Sequence, residues 1–282
     1  MKVLVTGAAG QLGREMVRVA GTAVVAGLVR ADLDVSDSAA VHEAVTGLRP
    51  DVVVNCAAWT DVDGCELDPE RAQTVNADAV GFLAEACDEV GAHLVHVSTD
   101  YVFNGEASTP YGEDHPTDPV NAYGASKLAG EVAAGAGATV VRSTWLQPAD
   151  LPGMVGRVVD SLEAGVSIRV MDDRRACPTF VADLVPAILR LGAERVTGVV
   201  HATNAGVTSW HGFAREVARA SGNDPDLLVP VSEADLDVSR PACRPTYSAL
   251  DNTVLRGLGW EPMRHHRDAI AAVVARIMAA EA

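Results

Sequence analysis

The sequence predicts an α/β protein built on a Rossmann-like, doubly wound parallel sheet, with a smaller C-terminal α/β lobe. Three observations predict it. Short apolar, β-branched runs alternate with helical segments through the first half of the chain, as parallel βα units with right-handed crossovers require. A glycine-rich turn separates the first such run from the first helix. After Trp145 the alternation loosens into proline-broken loops and separate helices.

Each element follows from its local pattern. "KVLVT" (2–6) reads as a strand buried on both faces. "QLGREMVRVAG" is a helix and "AVVAGLV" (23–29) a second strand. "SDSAAVHEAVTGL" is a helix with Ser36 as its expected N-cap, and "DVVVNCA" (51–57) is a third strand ended by Asn55. Residues 69–91 read as one long helix with Pro69 in its first turn. "HLVHV" (93–97) is a fourth strand, 121–135 a helix and "TVVRS" (139–143) a fifth strand. Beyond the "QPADLPG" loop come a helix in "MVGRVVDSLEAG", a strand in "SIRVMD", a helix spanning Pro186 and a further sheet strand at 198–203. "SWHGFAREVARASG" is an amphipathic helix capped by Ser209, with Trp210 and Phe213 on its buried face. Residues 224–250 read as irregular, and "RDAIAAVVARIMAA" closes the chain as a helix.

Composition narrows the function classes. Hydrophobic residues make up 48% of the 282 residues and charged ones 21%, which fits a packed core and excludes disorder. A formal charge of −16 excludes nucleic acid as a partner, since that needs a basic face. An anionic small ligand remains open, because it needs only helix N-termini and a few arginines. The five cysteines (Cys56, Cys65, Cys87, Cys177, Cys243) are scattered with no zinc-type spacing, so no metal is expected. Reduced thiols, an N-terminus too short for a signal-peptide core and the lack of any run of transmembrane length point to a cytoplasmic protein with no membrane partner.

"TGAAGQLG" spaces Gly7, Gly10 and Gly13 as GxxGxxG between strand and helix. The first glycine permits the tight turn. The second lets backbone amides approach a pyrophosphate, and the third lets the helix pack on the sheet. Cofactor type is read at the end of the second strand, where a carboxylate would bond the 2′-hydroxyl of NAD. This chain has Leu28, Val29 and Arg30 there. Arg30 is either a partner for a 2′-phosphate, which favours NADPH with NADH as the alternative, or a solvated surface residue. Asp34 and Val35 either flank the adenine or lead into the next helix. We therefore divide the chain into a dinucleotide-binding part, 1–145 with 179–205, and a substrate lobe, 146–178 with 206–282.

"YGASK" sets Tyr123 and Lys127 four residues apart, on one helix face. A phenol has an ordinary pKa of about 10. An adjacent ammonium is expected to lower it and make the pair a proton donor to a developing alkoxide. A hydroxyl at another strand end would orient the substrate oxygen, and Thr99 or Ser98 in "STDYVFNG" is the natural source.

"TGAAGQLG", "VNCAAWTDVD", "VNA", "STDYVFNG" and "NAYGASKLAGE", in this order, resemble the extended short-chain dehydrogenase/reductases, and most closely the dTDP-4-dehydrorhamnose reductase branch. "RSTWL", "VMDDRRACPTF" and "RPACRPTYSALD" agree with it, so the resemblance covers nearly the whole chain. It implies an NADPH-dependent reduction of the 4-keto group of a dTDP-4-keto-6-deoxyhexose, by a monomer or homodimer. Tyr123 would donate the proton, Lys127 would tune it and hold the nicotinamide ribose, and Thr99 would polarise the carbonyl. Gln11 and Leu12 would join Gly7, Gly10 and Gly13 at the pyrophosphate. Asp34 and Val35 would flank the adenine. Ala57, Ala58, Trp59, Thr60, Asn76 and Ser98 would complete the cofactor site. Val62, Asp100, Tyr101 and Trp145 would face the substrate, and Arg244 would meet its diphosphate or form an ordinary salt bridge.

The chain also departs from that pattern. The family often has aspartate where Val29 stands, which again favours NADPH. Gln147 stands where an aromatic is common and Cys243 where a basic residue is common, so the identity of the sugar stays open. A dehydratase or epimerase retaining NAD is one rival, although Tyr101 stands where such relatives tend to carry glutamate. A non-catalytic regulatory subunit of the same fold is the other, although such a subunit need not keep Thr99, Tyr123 and Lys127 together. His93 and His96 read as core histidines, and His265 and His266 as a solvated patch.

Overall fold

The computed structural model describes residues 1–148, 153–236 and 240–281. The first half runs β1 (Val3–Thr6), α1 (Gln11–Ala20), β2 (Val24–Leu28), α2 (Ser38–Leu48), β3 (Val52–Asn55), α3 (Val62–Leu67), α4 (Pro69–Gln73), α5 (Ala79–Val90), β4 (His93–Thr99), α6 (Ala122–Ala134) and β5 (Thr139–Ser143). The second half adds β6 (Leu146–Gln147), α7 (Gly153–Glu163), β7 (Ile168–Met171), β8 (Thr179–Phe180), α8 (Val181–Glu194), β9 (Gly198–His201), α9 (Trp210–Ser221), β10 (Leu228–Val231), α10 (Thr253–Gly257) and α11 (His266–Glu281).

Six strands form one sheet in the order β2-β1-β3-β4-β5-β9, parallel throughout. Every residue of β1 and β3 is buried, as the apolar runs Val3–Val5 and Val52–Val54 lead one to expect, and the polar ends Thr6 and Asn55 bond each other. Alternate residues feed two cores. Val3, Val5, Val52 and Val54 lie under α1 and α8 through Leu12, Met16, Leu184 and Ile188. Leu4, Val53, Leu94 and Val140 lie under α2 and α5 through Val41, Val45 and Leu83. A separate core in the second lobe joins α7, α9 and α11 through Val159, Phe213 and Ile270. The strand order reverses between β1 and β3, which opens a crevice at their carboxyl ends.

Several elements differ from expectation. The helix expected over 69–91 is interrupted by a π turn at Thr74–Asp78, and α3 precedes it unannounced. The N-cap of α2 is Asp37 rather than Ser36: its carboxylate accepts from Ala39 N and Ala40 N, while the Ser36 hydroxyl donates to Asp34. The stretch 224–250 contains β10, which pairs parallel with β7. Pro230 is tolerated there because the sheet has only two strands, so both are edges. His266 is buried with Nδ1 against Ala205 O, and only half of the expected histidine patch reaches solvent. Leu255 of α10, with Trp260 and Met263 behind it, packs on the α1/α8 core. Residues 149–152 of the proline loop and 237–239 of the irregular stretch lie outside the described residues.

Candidate active site

The crevice is built from backbone. Beyond β1 the chain turns through Gly7 at φ 66°. A Cβ on Gly7 would lie 2.6 Å from Ala57 N, so glycine is needed where the loops after β1 and β3 meet. A Cβ on Gly13 would collide with Gly7 O, which is the close helix–strand packing expected of the third glycine. Gly10 caps α1 with extended backbone and no side-chain hydrogen bond, which leaves the first-turn N–H groups to a ligand.

A cleft of about 240 Å³ extends from this turn and is lined by Gly7, Gly10, Arg30, Asp34, Val35, Ala57, Ala58 and Trp59. Arg30 is exposed, 3.9 Å from the Asp34 carboxylate. Hydrogen bonds from Ser36 hold the Asp34 carboxyl below its usual range. Arg71, absent from the sequence reasoning, shares the lining and lies over the Trp59 ring, 4.2 Å from its centroid. Asn76, on the π turn, acts through Trp59: its Oδ1 accepts from Trp59 N at 2.8 Å and its Nδ2 donates to Trp59 O at 3.0 Å. Thr60 is exposed outside the lining. The Leu12 side chain is turned into the core, which leaves only its backbone for a ligand. Gln11 Nε2 donates to Leu146 O at 3.4 Å, across the two lobes.

The reactive groups stand on α6 and at the end of β4. Asn121 caps α6 by accepting from Gly124 N at 2.7 Å. Tyr123 and Lys127 follow one turn apart, but Lys127 is not among the groups that shift the phenol. Because α6 packs against β4, Lys127 is turned into the sheet, where Nζ donates to Val97 O at 2.7 Å. Burial pulls its pKa down to about 8. Burial, not the ammonium, governs Tyr123 and pushes its phenol above the ordinary value. The Thr99 hydroxyl beside it works in the opposite, weaker sense. The phenol therefore keeps its proton.

Thr99 Oγ1 accepts from Tyr101 N at 3.2 Å and donates to Asp100 Oδ1 at 3.1 Å. Asp100 is buried, and burial raises its pKa to about 6 against hydrogen bonds from Ser248, Thr144 and Thr99. The Tyr101 ring meets Tyr123 edge to face, 5.7 Å between centroids. Ser98 Oγ donates to Glu131 Oε1 at 2.6 Å, and Glu131 is locked to Arg142. The Ser98 hydroxyl thus spends its proton inside the protein. Alternation along β4 points it at α6 and β5.

The substrate side gathers residues distant in sequence. Trp145 has a left-handed backbone, φ 45°, and stacks on Trp210. Val62 is half-buried at the start of α3. Arg244 forms a two-pronged ion pair with Asp63, at 2.7 and 3.0 Å, the salt-bridge alternative of the sequence reading. Gln147 Nε2 donates to Trp145 O at 3.0 Å, and Cys243 is exposed and unpaired. A groove of about 1050 Å³ separates Gln11 and Arg14 of α1 from Leu146, Met154, Val170 and Trp210 of the second lobe. No metal-binding cluster of acidic, histidine or cysteine side chains occurs among the described residues.

A family model described as the RmlD substrate binding domain matches residues 1–279. This chain belongs to the RmlD family. Within that family it is 45% identical, over 281 residues, to a dTDP-4-dehydrorhamnose reductase of Streptomyces griseus, covering 95% of this chain and 91% of that protein. It is 43% identical, over 288 residues, to a probable dTDP-4,6-dihydroxy-2-methyloxan-3-one 4-ketoreductase of Streptomyces antibioticus, covering 100% and 97%. The crystal structure of dTDP-4-dehydrorhamnose reductase from Bacillus anthracis in complex with NADP superposes with a TM-score of 0.91 at 31% identity, covering 98% of this RmlD-family chain and 100% of the other.

Proposed function

We propose that this protein uses NADPH to reduce the 4-keto group of a dTDP-4-keto-6-deoxyhexose to a secondary alcohol. The observation that carries the reading is the Tyr123 phenol, protonated near neutrality and set beside the Thr99 hydroxyl at the carboxyl end of β4. A proton donor in a reduction needs that protonation state. The names of the similar reductases supply the substrate class.

The crevice fits the cofactor on its own chemistry. The uncapped start of α1, with the Gly7 turn beneath it, suits a pyrophosphate. Arg30 and Arg71 at the mouth suit a 2′-phosphate, and Val35, Ala57 and Ala58 suit the adenine. When bound there, NADPH supplies the hydride. Tyr123 gives its proton to the substrate oxygen. Thr99 releases its bond to Asp100 and donates to that oxygen, and Asp100 stays bonded to Thr144 and Ser248. Lys127 keeps an N–H beyond the one it gives to Val97 O, and this is the group assigned to the nicotinamide ribose. Trp145, Val62 and Tyr101 flank the sugar. Residues 1–145 with 179–205 hold the cofactor. The rest, apart from the α10 return, holds the dTDP sugar. Five unpaired cysteines suit work in the cytoplasm.

The test is a panel of dTDP-4-keto-6-deoxy sugars offered with NADPH and with NADH. NADPH oxidation matched by formation of the 4-hydroxy sugar is expected with at least one member. No oxidation with any member overturns the reading.

A further inference from the structure

Below the phenol runs a hydrogen-bond chain that the reductase reading leaves unused. Lys127 Nζ lies 3.2 Å from His96 Nε2, and His96 Nδ1 lies 3.1 Å from Asn55 Nδ2. Asn55 Oδ1 accepts from Thr6 Oγ1 at 2.6 Å and from Ala57 N at 3.1 Å. His96, Asn55 and Thr6 are all at most 2% exposed, so solvent does not complete their bonds.

The donors and acceptors can be assigned in order. Ala57 N is a backbone donor, so the Asn55 atom facing it must be the oxygen. The Asn55 amide nitrogen then faces His96 and donates to Nδ1. A neutral imidazole with a bare Nδ1 carries its proton on Nε2. Burial and the neighbouring Lys127 both keep the ring neutral. His96 therefore points an N–H at Lys127 Nζ. An ammonium has three donors and no acceptor, and only the neutral amine offers a lone pair.

We propose that His96 is a positioning residue for Lys127: held in one tautomer by Asn55, it donates Nε2–H to the lysine amine and so loosens the lysine's hold on its proton. The other groups around Lys127 do not account for this. Cys56, beyond β3, is a buried thiol pushed up to about 12 and carries no charge to favour an ammonium. Glu131, one turn along α6, favours the ammonium but is paired with Arg142. Tyr123, on the same helix, is protonated. The pull of burial on Lys127, down to about 8, acts in the same direction as the His96 bond. A lysine so poised can return a proton to Tyr123 after turnover, and that role rests on the reductase reading. The tautomer and the lysine titration do not.

The sequence has only two lysines, Lys2 and Lys127, so protein labelled with ¹³C at lysine Cε and carrying Lys2→Arg reports Lys127 alone. Its midpoint is compared with that of the same protein carrying His96→Leu, which keeps the site apolar and removes the donor. Loss of the donor is expected to raise the midpoint by about one pH unit. An unchanged or lowered midpoint, the result if His96 accepts from an ammonium, overturns the proposal. Should the leucine variant not fold, ¹⁵N spectra of the wild-type histidine rings decide. His96, assigned by its contact with the Lys127 Cε protons, is expected with Nε2 protonated and Nδ1 bare, and the reverse pattern overturns it. Neither measurement needs turnover, so failure of the reductase assay and failure of this proposal are separable.

Discussion

The indole of Trp145 lies face to face with that of Trp210, ring centroids 4.0 Å apart and planes within 8° of parallel. The two residues lie far apart in the sequence. Trp145 ends the loop after β5 on a left-handed backbone, and Trp210 opens α9. The stack offsets the strain of that conformation and fixes the Trp145 ring, which the proposed function sets beside the sugar. Trp210→Ala is expected to raise KM for the keto sugar by up to about tenfold while leaving NADPH binding intact. Steady-state kinetics with separate cofactor titration check it. A change in cofactor affinity alone would contradict the assignment.

Tyr123 is the proton donor in the proposed reaction. Removing one positioned acid costs about 10²–10⁴ in rate. Tyr123→Phe is therefore expected to lose turnover by that factor and to retain the fold and NADPH affinity. Turnover at the wild-type rate would place the proton source elsewhere.

Arg30 is exposed and bonded only loosely to Asp34. If it meets a 2′-phosphate, Arg30→Ala raises KM for NADPH by about tenfold and leaves KM for NADH unchanged. An equal effect on both cofactors would show a structural role for this side chain.

Asp100 carries a pH signature. Its folded pKa, about 6, stands above its ordinary value of 3.8, so the folded protein binds this proton more tightly than the unfolded chain does. The stability linked to it is complete below the ordinary value and is lost as pH rises through about 6. Asp100→Asn does not titrate. Denaturant melts of the two proteins should show the wild type losing about 2 kcal/mol relative to the variant between about pH 4.5 and 8. A constant difference would mean that Asp100 is charged throughout.

Much of the architecture was legible because its signals are local. The apolar runs Val3–Val5 and Val52–Val54 read as doubly buried strands, and both are buried throughout. The Gly7 and Gly13 spacing anticipated two close backbone approaches that the structure contains. The misses have equally local causes. Asp37 and Ser36 are both good caps, and pattern alone does not choose between them. The proline in β10 masked an edge strand. At the site, the sequence supplied the residue types but not their partners. His96 read as a core histidine, and Trp210 and Arg71 carried no signal for their stacking roles.

By itself, then, the sequence determined the parallel βα framework and the glycine turn, and it supplied Tyr123 and Lys127 on one helix with Thr99 at a strand end. Those follow from periodicity and spacing along the chain. Only the tertiary structure decided that Lys127 turns into β4 toward His96, that Tyr123 is governed by burial and that Arg244 is held by Asp63. Proton affinity depends on desolvation and on partners that lie far away in sequence, and those are set when helix packs against sheet.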